Sequence, residues 1–439
     1  MKNMLPFCAK MRYVCLIVIL FLSAGLRAQE SRFSVDGDFL TRGEIRSGGL
    51  STNEEGETED FAAFIFERSL LKVDYNRPGL SANFSVQHNG TWGSSNEATF
   101  DIYEAWVSLN ARSGLFAKLG RQNLVYDDQR IFGTDDWTMT ARAHDVLKIG
   151  YEGHGHKIHL IAGYNQNPAN MKGGTYYSGG IQPYKSMQSI WYHLDVPGTK
   201  LGISAVFMNA GMQGTAFEKE DNTYFQQLVG GYLSFKPKQW SVEGAYYYQM
   251  GKSESSLPIN AWMGCIKAGY ETSGRNTYYA GYDYLSGDRN FATPPYNQIG
   301  VIRHKTIRGF SSLYGSHHKF YGAMDFFYVS TYYRGFTPGL QNVYAGGSWK
   351  VGDKTELNAS YHFLATATKL QNAKKPLGHE LELSGSYKLF KDCKLSAGYS
   401  FMWGTRTMVV LKRSSDRRRL HWGWLMLSVT PRFFTYNGK

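Results

Sequence analysis

Apolar and polar residues alternate one by one along most of this chain. In LSANFSVQ, Leu80, Ala82, Phe84 and Val86 share one parity, and Ser81, Asn83, Ser85 and Gln87 share the other. HELELSGSYKLF sets Leu381, Leu383, Tyr387 and Leu389 against Glu380, Glu382, Ser386 and Lys388. KTELNASYHF and AWMGCIKAGY repeat the pattern. A period of two puts successive side chains on opposite faces of a β-strand. About eighteen such segments run from 32–45 to 419–434, each roughly nine to fifteen residues long, enough to cross a bilayer at a tilt.

The connections between them alternate in length. NRPG (76–79), ARSG (111–114), GHG (153–155), VPGT (196–199), KPKQ (236–239), TSGR (272–275), VGDK (351–354) and FKDC (390–393) are tight turns with the residues that turns require. Every other connection is longer. Short turns alternating with long loops belong to a barrel that stands in a membrane. In lipid only a closed sheet pairs all its backbone N–H and C=O groups. The fold expected is all-β: an 18-stranded antiparallel transmembrane β-barrel with short periplasmic turns and long extracellular loops. Such a lumen is too wide for side chains alone to fill, so water or inserted loops must occupy it. Trp106, Trp191, Trp240, Trp349, Trp403 and Trp422 near strand ends suit an aromatic girdle at the membrane interfaces.

Composition supports this. Aromatics make up 15% of the 439 residues, with 31 Tyr, 48 Gly and only 12 Pro. The N-terminus reads differently: three cations (Lys2, Lys10, Arg12), the apolar run VCLIVILFLSAGL and a small residue, Ala28. That is the layout of a secretory signal peptide over 1–28, leaving 29–439 as one barrel. Removing 1–28 takes away four cations and lowers the formal charge from +12 to +8. Two cysteines remain, Cys265 and Cys393, both inside strand-like runs. They read as packing residues rather than a disulfide framework.

The alternation stops in LGRQNLVYDDQRIFGTDDWTMTARAHDVLKIG (Leu119–Gly150) and resumes after about twenty residues. This stretch, GYDYLSGDRN (Gly281–Asn290), HHKFYGAMDFF (His317–Phe327), the run Leu377–Gly404 and SVTPRFF (Ser428–Phe434) resemble the alginate export family of outer-membrane porins. The resemblance covers nearly the whole chain after the signal. It implies an eighteen-stranded barrel with a lumen lined by arginine and lysine, in a family whose best-known member passes a polyuronate.

The polar parities also suggest a charged passage. Arg68 and Lys72 share the second strand's polar face with Asp74, and Arg121 and Gln122 end the fifth strand. Arg130 and Arg142 lie in the break, and Lys148 and Lys267 lie on polar faces, as do Lys157, Lys350 and Lys388. Rings of cations favour anions, and arginine grips carboxylates with two parallel hydrogen bonds. Topology places Asn123–Ala143 on the outer side. Its mixed charges suit a segment folded inward, with Arg121, Arg130 and Arg142 facing anions and Asp128 and Asp145 holding them. The aromatic-rich connection from about Ser286 to Gly339 is likewise expected to fold into the lumen or cap its mouth. The same faces carry Glu104, Glu243, Glu271, Asp283, Glu356, Glu380 and Glu382, so the lumen is mixed, and any one cation can instead stiffen the wall in an ion pair.

Other chemistry is thin. His154, His156 and His159 straddle a turn without nearby Cys or carboxylate, so no metal site is assigned. Asp127, Asp128, Asp135 and Asp136 offer at most a structural Ca²⁺ outside the usual loop spacing. LKRSSDRRRL (Leu411–Leu420) lies in the last external loop and could contact anionic lipopolysaccharide. No nucleophile, acid–base pair or cofactor motif stands in a recognisable context, so an enzyme is not expected. The reading is a passive outer-membrane channel for anionic saccharides such as polyuronates, or similar small anions. Its partners would be outer-membrane lipid, lipopolysaccharide, the solute and periplasmic proteins, not nucleic acid. The alternative is a general or differently selective porin.

Overall fold

The computed structural model describes residues 30–47, 61–94, 98–167, 174–177, 180, 182–214, 222–272, 274–289, 305–325, 327, 337–371, 373–412 and 418–438. The expected signal segment and the centre of the basic run lie outside these residues. The strands, in order, are β1 (Ser31–Ser47), β2 (Ala62–Arg77), β3 (Leu80–Thr91), β4 (Thr99–Asn110), β5 (Leu115–Gln122), β6 (His144–Gly153), β7 (His156–Tyr164), β8 (Ser186–Asp195) and β9 (Leu201–Gln213). They continue as β10 (Thr223–Phe235), β11 (Trp240–Lys252), β12 (Pro258–Thr272), β13 (Asn276–Leu285) and β14 (Leu340–Val351). The last are β15 (Thr355–Ala365), β16 (Pro376–Phe390), β17 (Cys393–Gly404), β18 (Arg419–Val429) and β19 (Arg432–Gly438). One short helix, α1 (Arg406–Lys412), follows β17, and among the described residues no helix is long and apolar enough to cross a membrane.

Each strand pairs antiparallel with its neighbours in sequence, and β1 pairs with β2 on one edge and with β18 and β19 on the other. The sheet is closed. β18 and β19 are one strand interrupted at Thr430–Pro431, so the barrel has 18 strands. The interruption has a cause in the sequence: Pro431 has no N–H to give, and the β1 register slips between Val35 and Asp36 opposite it. The sequence alone suggested a single strand ending near 434; pairing with β1 carries it to Gly438.

All eight tight turns fall on one end of the barrel, between β2 and β3, β4 and β5, and so on to β16 and β17. At His154–Gly155 both residues have positive φ (53° and 80°), the backbone of a two-residue hairpin that suits strand twist.

The polarity is inside out. Phe84 is 50% exposed while its neighbour Ser85 is 0% exposed. Outward positions such as Leu119, Ile149, Leu160, Phe207, Ile266 and Leu383 are apolar, while Asn83, Gln87, Gln249, Asp283, Asn342 and Glu380 point inward and are buried. Aromatic residues rim the outward face: Trp240 packs with Tyr270, Trp349 with Tyr278, Trp262 with Tyr246 and Tyr284, and Trp403 with Phe401. Three of the tryptophans assigned to the girdle point into the lumen instead. Trp191 and Trp422 are buried there, and Trp106 lies on the lumen parity of β4 beneath the Lys118 ammonium, 3.5 Å from its ring. Each sits on its strand's inward parity, which position near a strand end does not reveal.

Candidate functional site in the barrel lumen

Two segments leave the wall and interlock inside it. The first begins where β5 ends. Gln122 is fully buried there and donates to the Val146 carbonyl (3.1 Å), and the chain then turns inward through 123–143. The second comes from the connection between β13 and β14, of which 286–289, 305–325, 327 and 337–339 are described. Phe132 and Tyr314 form an isolated parallel bridge, and Gly133 N–H donates to the Tyr314 carbonyl (2.9 Å). Ser316 N–H donates to the Gln129 carbonyl (2.9 Å), and Ser316 Oγ accepts from Asp135 N–H (2.9 Å). Gly315 lies so close to the Arg130 carbonyl that no Cβ would fit. Both inward-folding expectations hold for the described parts of these segments.

Apolar and aromatic side chains fuse the plug to the wall. Leu124, Ile131, Phe132, Phe310, Tyr314, Tyr321 and Phe327 share one core with wall residues Val146, Met187, Met208, Tyr247 and Met263. Tyr126 packs on Trp191 (4.7 Å between centroids), and its hydroxyl bonds His159 Nδ1 (3.0 Å). His159 Nε2 faces Glu152 (2.9 Å), so the imidazole is held by its partners rather than free for a metal.

Ion pairs then fix the plug at several points. Arg130 is the most enclosed. It pairs with Asp128 (2.7 Å) and with Asp283 on β13 (2.7 Å), donates to Tyr321 Oη (3.1 Å) and lies over the Phe320 ring (4.1 Å). Burial alone would weaken its charge, but Asp283 and the groups around it outweigh burial and hold the guanidinium well above its usual range. Arg68 pairs with Asp136 (2.6 Å) and Asp38 (3.1 Å). Arg142 donates to the Gly315 carbonyl (2.8 Å) and lies 3.8 Å from Asp135. At the far side, Trp137 stacks on His318 (4.2 Å, 4°) beneath Arg42 (3.8 Å), edge-on to Trp422 and Trp424. Glu380 and Glu382 on β16 accept from the N–H groups of Met324 (2.8 Å) and Ala323 (2.6 Å).

This geometry revises the set of anion-facing groups. Asp128 does hold Arg130 and Asp145 does hold Arg121, through two bonds of 2.9 Å. The arginines are thereby neutralised. Arg121 also takes the parity of the outward Leu119, not that of Gln122, so it stands at the wall rather than in the passage. The four aspartates of the possible Ca²⁺ site do not converge. Asp127 accepts from Trp191 Nε1 (3.2 Å), and the other three pair with different arginines. Among the described residues no three His, Cys, Asp or Glu side chains gather as a metal site.

Four lumen-facing lysines stand without an ion pair among the described residues. Lys148 faces the lumen directly across from Lys118 on β5, and among the described residues neither has a carboxylate within 4 Å. Lys72, on the lumen parity of β2, and Lys267, 4.5 Å over the Tyr279 ring, have no ion pair there either. Lys267 lines a lumen cavity of about 400 Å³ with Lys319, Glu243, Tyr279 and Glu382. Lys319 donates to the Asp128 carbonyl (3.0 Å), and burial, with Lys267 and Arg130 nearby, lowers its affinity for a proton. Lys118 and Arg42 were missed from sequence. Both lie on polar parities of their strands, in LFAKLGRQ and DFLTRGEIRS, so the signal was present.

A family model described as alginate export matches residues 81–404. The chain belongs to the alginate export family. This family member is an outer-membrane β-barrel of the porin type, and its family and fold are those of channels rather than enzymes. No curated protein matches it. In fold it is similar to OpdL of Pseudomonas aeruginosa (TM-score 0.58, 10% identity, covering 92% of this chain and 99% of that one). It is also similar to a BenF-like porin of Pseudomonas fluorescens Pf-5 (0.58, 12%, 91% and 99%) and to OccAB4 of Acinetobacter baumannii (0.56, 11%, 93% and 99%).

Proposed function

We propose that this barrel is a passive outer-membrane channel for anionic solutes, uronic-acid saccharides or similar small anions, narrowed by its two inward-folded segments. The observation that carries this reading is the Lys118–Lys148 pair. Two like charges directly across a β-ladder repel and cost stability, so they persist where a mobile counter-charge visits them. Lys72 and Lys267 add unpaired positive charge on the lumen face. The plug's arginines set the shape of the passage, and these lysines set its sign. Flow follows the solute gradient.

The acids Glu243 and Glu382 beside Lys267 favour a second reading, a porin of mixed selectivity. Lys118→Gln with Lys148→Gln separates the two. The anion reading expects the Cl⁻/K⁺ permeability ratio to fall about threefold or more, as focused charge in a narrow lumen predicts. An unchanged ratio removes this pair from the passage.

A further inference from the structure

Along one stretch of the wall, strand pairing stops short of the strand's end and leaves a seam. β3 and β4 pair out to Asn89 and Thr99, but β4 and β5 pair only from Ala105 to Asn110. β5 ends at Gln122, where the chain turns into the lumen, so Thr99–Glu104 has no strand partner on that side. The exposed edge faces outward: Phe100 is 74% and Ile102 45% exposed. An unpaired edge in lipid is costly, and side chains satisfy part of this one. Arg121 Nη1 donates to the Ile102 carbonyl (3.1 Å) while its other nitrogens grip Asp145, which also accepts from Gln182 Nε2 (2.9 Å). Glu104 accepts from Asn123 N–H (3.0 Å).

Behind the seam lies a cavity of about 300 Å³ that reaches from outward-facing Ile102 and Arg121 to Gln87, Thr140 and Arg142 on the lumen side. Gln87 donates to the Thr140 carbonyl (2.9 Å), so this part of the plug forms the cavity's inner wall. Two pairs below Arg121 and Asp145, on the same face, Leu119 and Leu147 point outward.

We propose that this seam is a lateral port through which a single-chain amphiphile with a carboxylate head passes between the lumen and the outer leaflet. Arg121 is the head-group anchor. It already holds a carboxylate in two-point geometry, so the ligand's carboxylate takes the place of Asp145's. Arg142 lies at the inner end of the cavity, whose wall also carries Asp101. The cavity holds roughly ten water-sized groups, room for one short alkyl segment and not for a two-chain lipid. The tail lies along Phe100 and Ile102. The port rests on the strand pairing, the cavity and Arg121, and stands whether or not the channel is anion-selective.

The test uses the full barrel in nanodiscs with Cys265→Ser and Cys393→Ser, and a bimane label at Thr140→Cys, behind the seam. A second label at Lys148→Cys sits on the lumen face of an intact stretch of wall. The quenchers, 5-doxyl-stearate and its methyl ester, partition into the lipid. The port predicts that stearate quenches the Thr140 label about tenfold more efficiently than the ester, the worth of a charge-assisted hydrogen bond, and leaves the Lys148 label alone. Arg121→Gln should abolish the difference. Asp145→Asn, which frees Arg121 and keeps the shape of the seam, should enlarge it. Equal quenching at the two label sites means the seam is sealed, and equal quenching by acid and ester means there is no head-group site. Either result overturns the proposal.

Discussion

Replacing Arg130 by Met should loosen the plug without unfolding the barrel. The guanidinium neutralises Asp283, whose side chain is 2% exposed on β13, and Asp128 within the first segment. Deleting one partner of a buried pair leaves the other charge stranded, at about 3–5 kcal/mol. Asp283 keeps only the Asn342 amide (2.9 Å). Because Arg130 ties plug to wall, the loss falls on docking, and 4 kcal/mol corresponds to about a thousandfold more undocked plug. Hydrogen exchange reads this at Gly133 and Ser316, whose N–H groups join the two segments. Their exchange should speed up by about two to three orders of magnitude while the β7 ladder amides stay as protected as before. Adding Asp283→Leu should restore much of the protection, since an apolar pair replaces the ionic one at little cost. Unchanged exchange, equal acceleration in β7, or strictly additive single and double mutants would refute the reasoning.

Acid should act on the same contact through His317. Burial, with Arg142 close by, pushes its imidazole down to about 4 from 6.5, so the docked plug prefers the neutral ring. That contribution is fully present above about pH 6.5 and is lost as pH falls towards 4, on the order of 3 kcal/mol in total. Acrylamide quenching of plug tryptophan fluorescence should therefore rise between pH 7.5 and 4.5, and His317→Gln should flatten the change; a flat wild-type profile would count against it. On the lipid face, Phe84→Arg should cost about 2–4 kcal/mol in folding into bilayers, while Ser85→Ala, one residue away on the lumen face, should cost only about 1 kcal/mol, the hydrogen bond its hydroxyl donates to Asn83 (2.8 Å). Equal costs would mean that the parity has been misassigned.

The wall was legible in the sequence because a membrane barrel imposes one rule at every strand, and Phe84 against Ser85 states it locally. The eight tight turns were legible for the same reason: Gly, Pro and Asp act within a few residues. Partners across the lumen were not. Nothing near Arg130 in sequence announces Asp283, and nothing in Trp137 announces His318; both contacts come from folding two distant segments into one space. Arg121 shows the limit most plainly. Its motif drew attention to the right place, yet its parity sends it to the wall. Lys118 carries the parity of a lumen residue, but nothing else in LFAKLGRQ sets it apart from the other strand lysines.

The central claim is that the lumen admits anions, and a zero-current potential in a planar bilayer under a KCl gradient tests it most directly. The account predicts steady conductance and a potential whose sign shows Cl⁻ crossing faster than K⁺. A potential of the opposite sign, or no conductance at all, would contradict it.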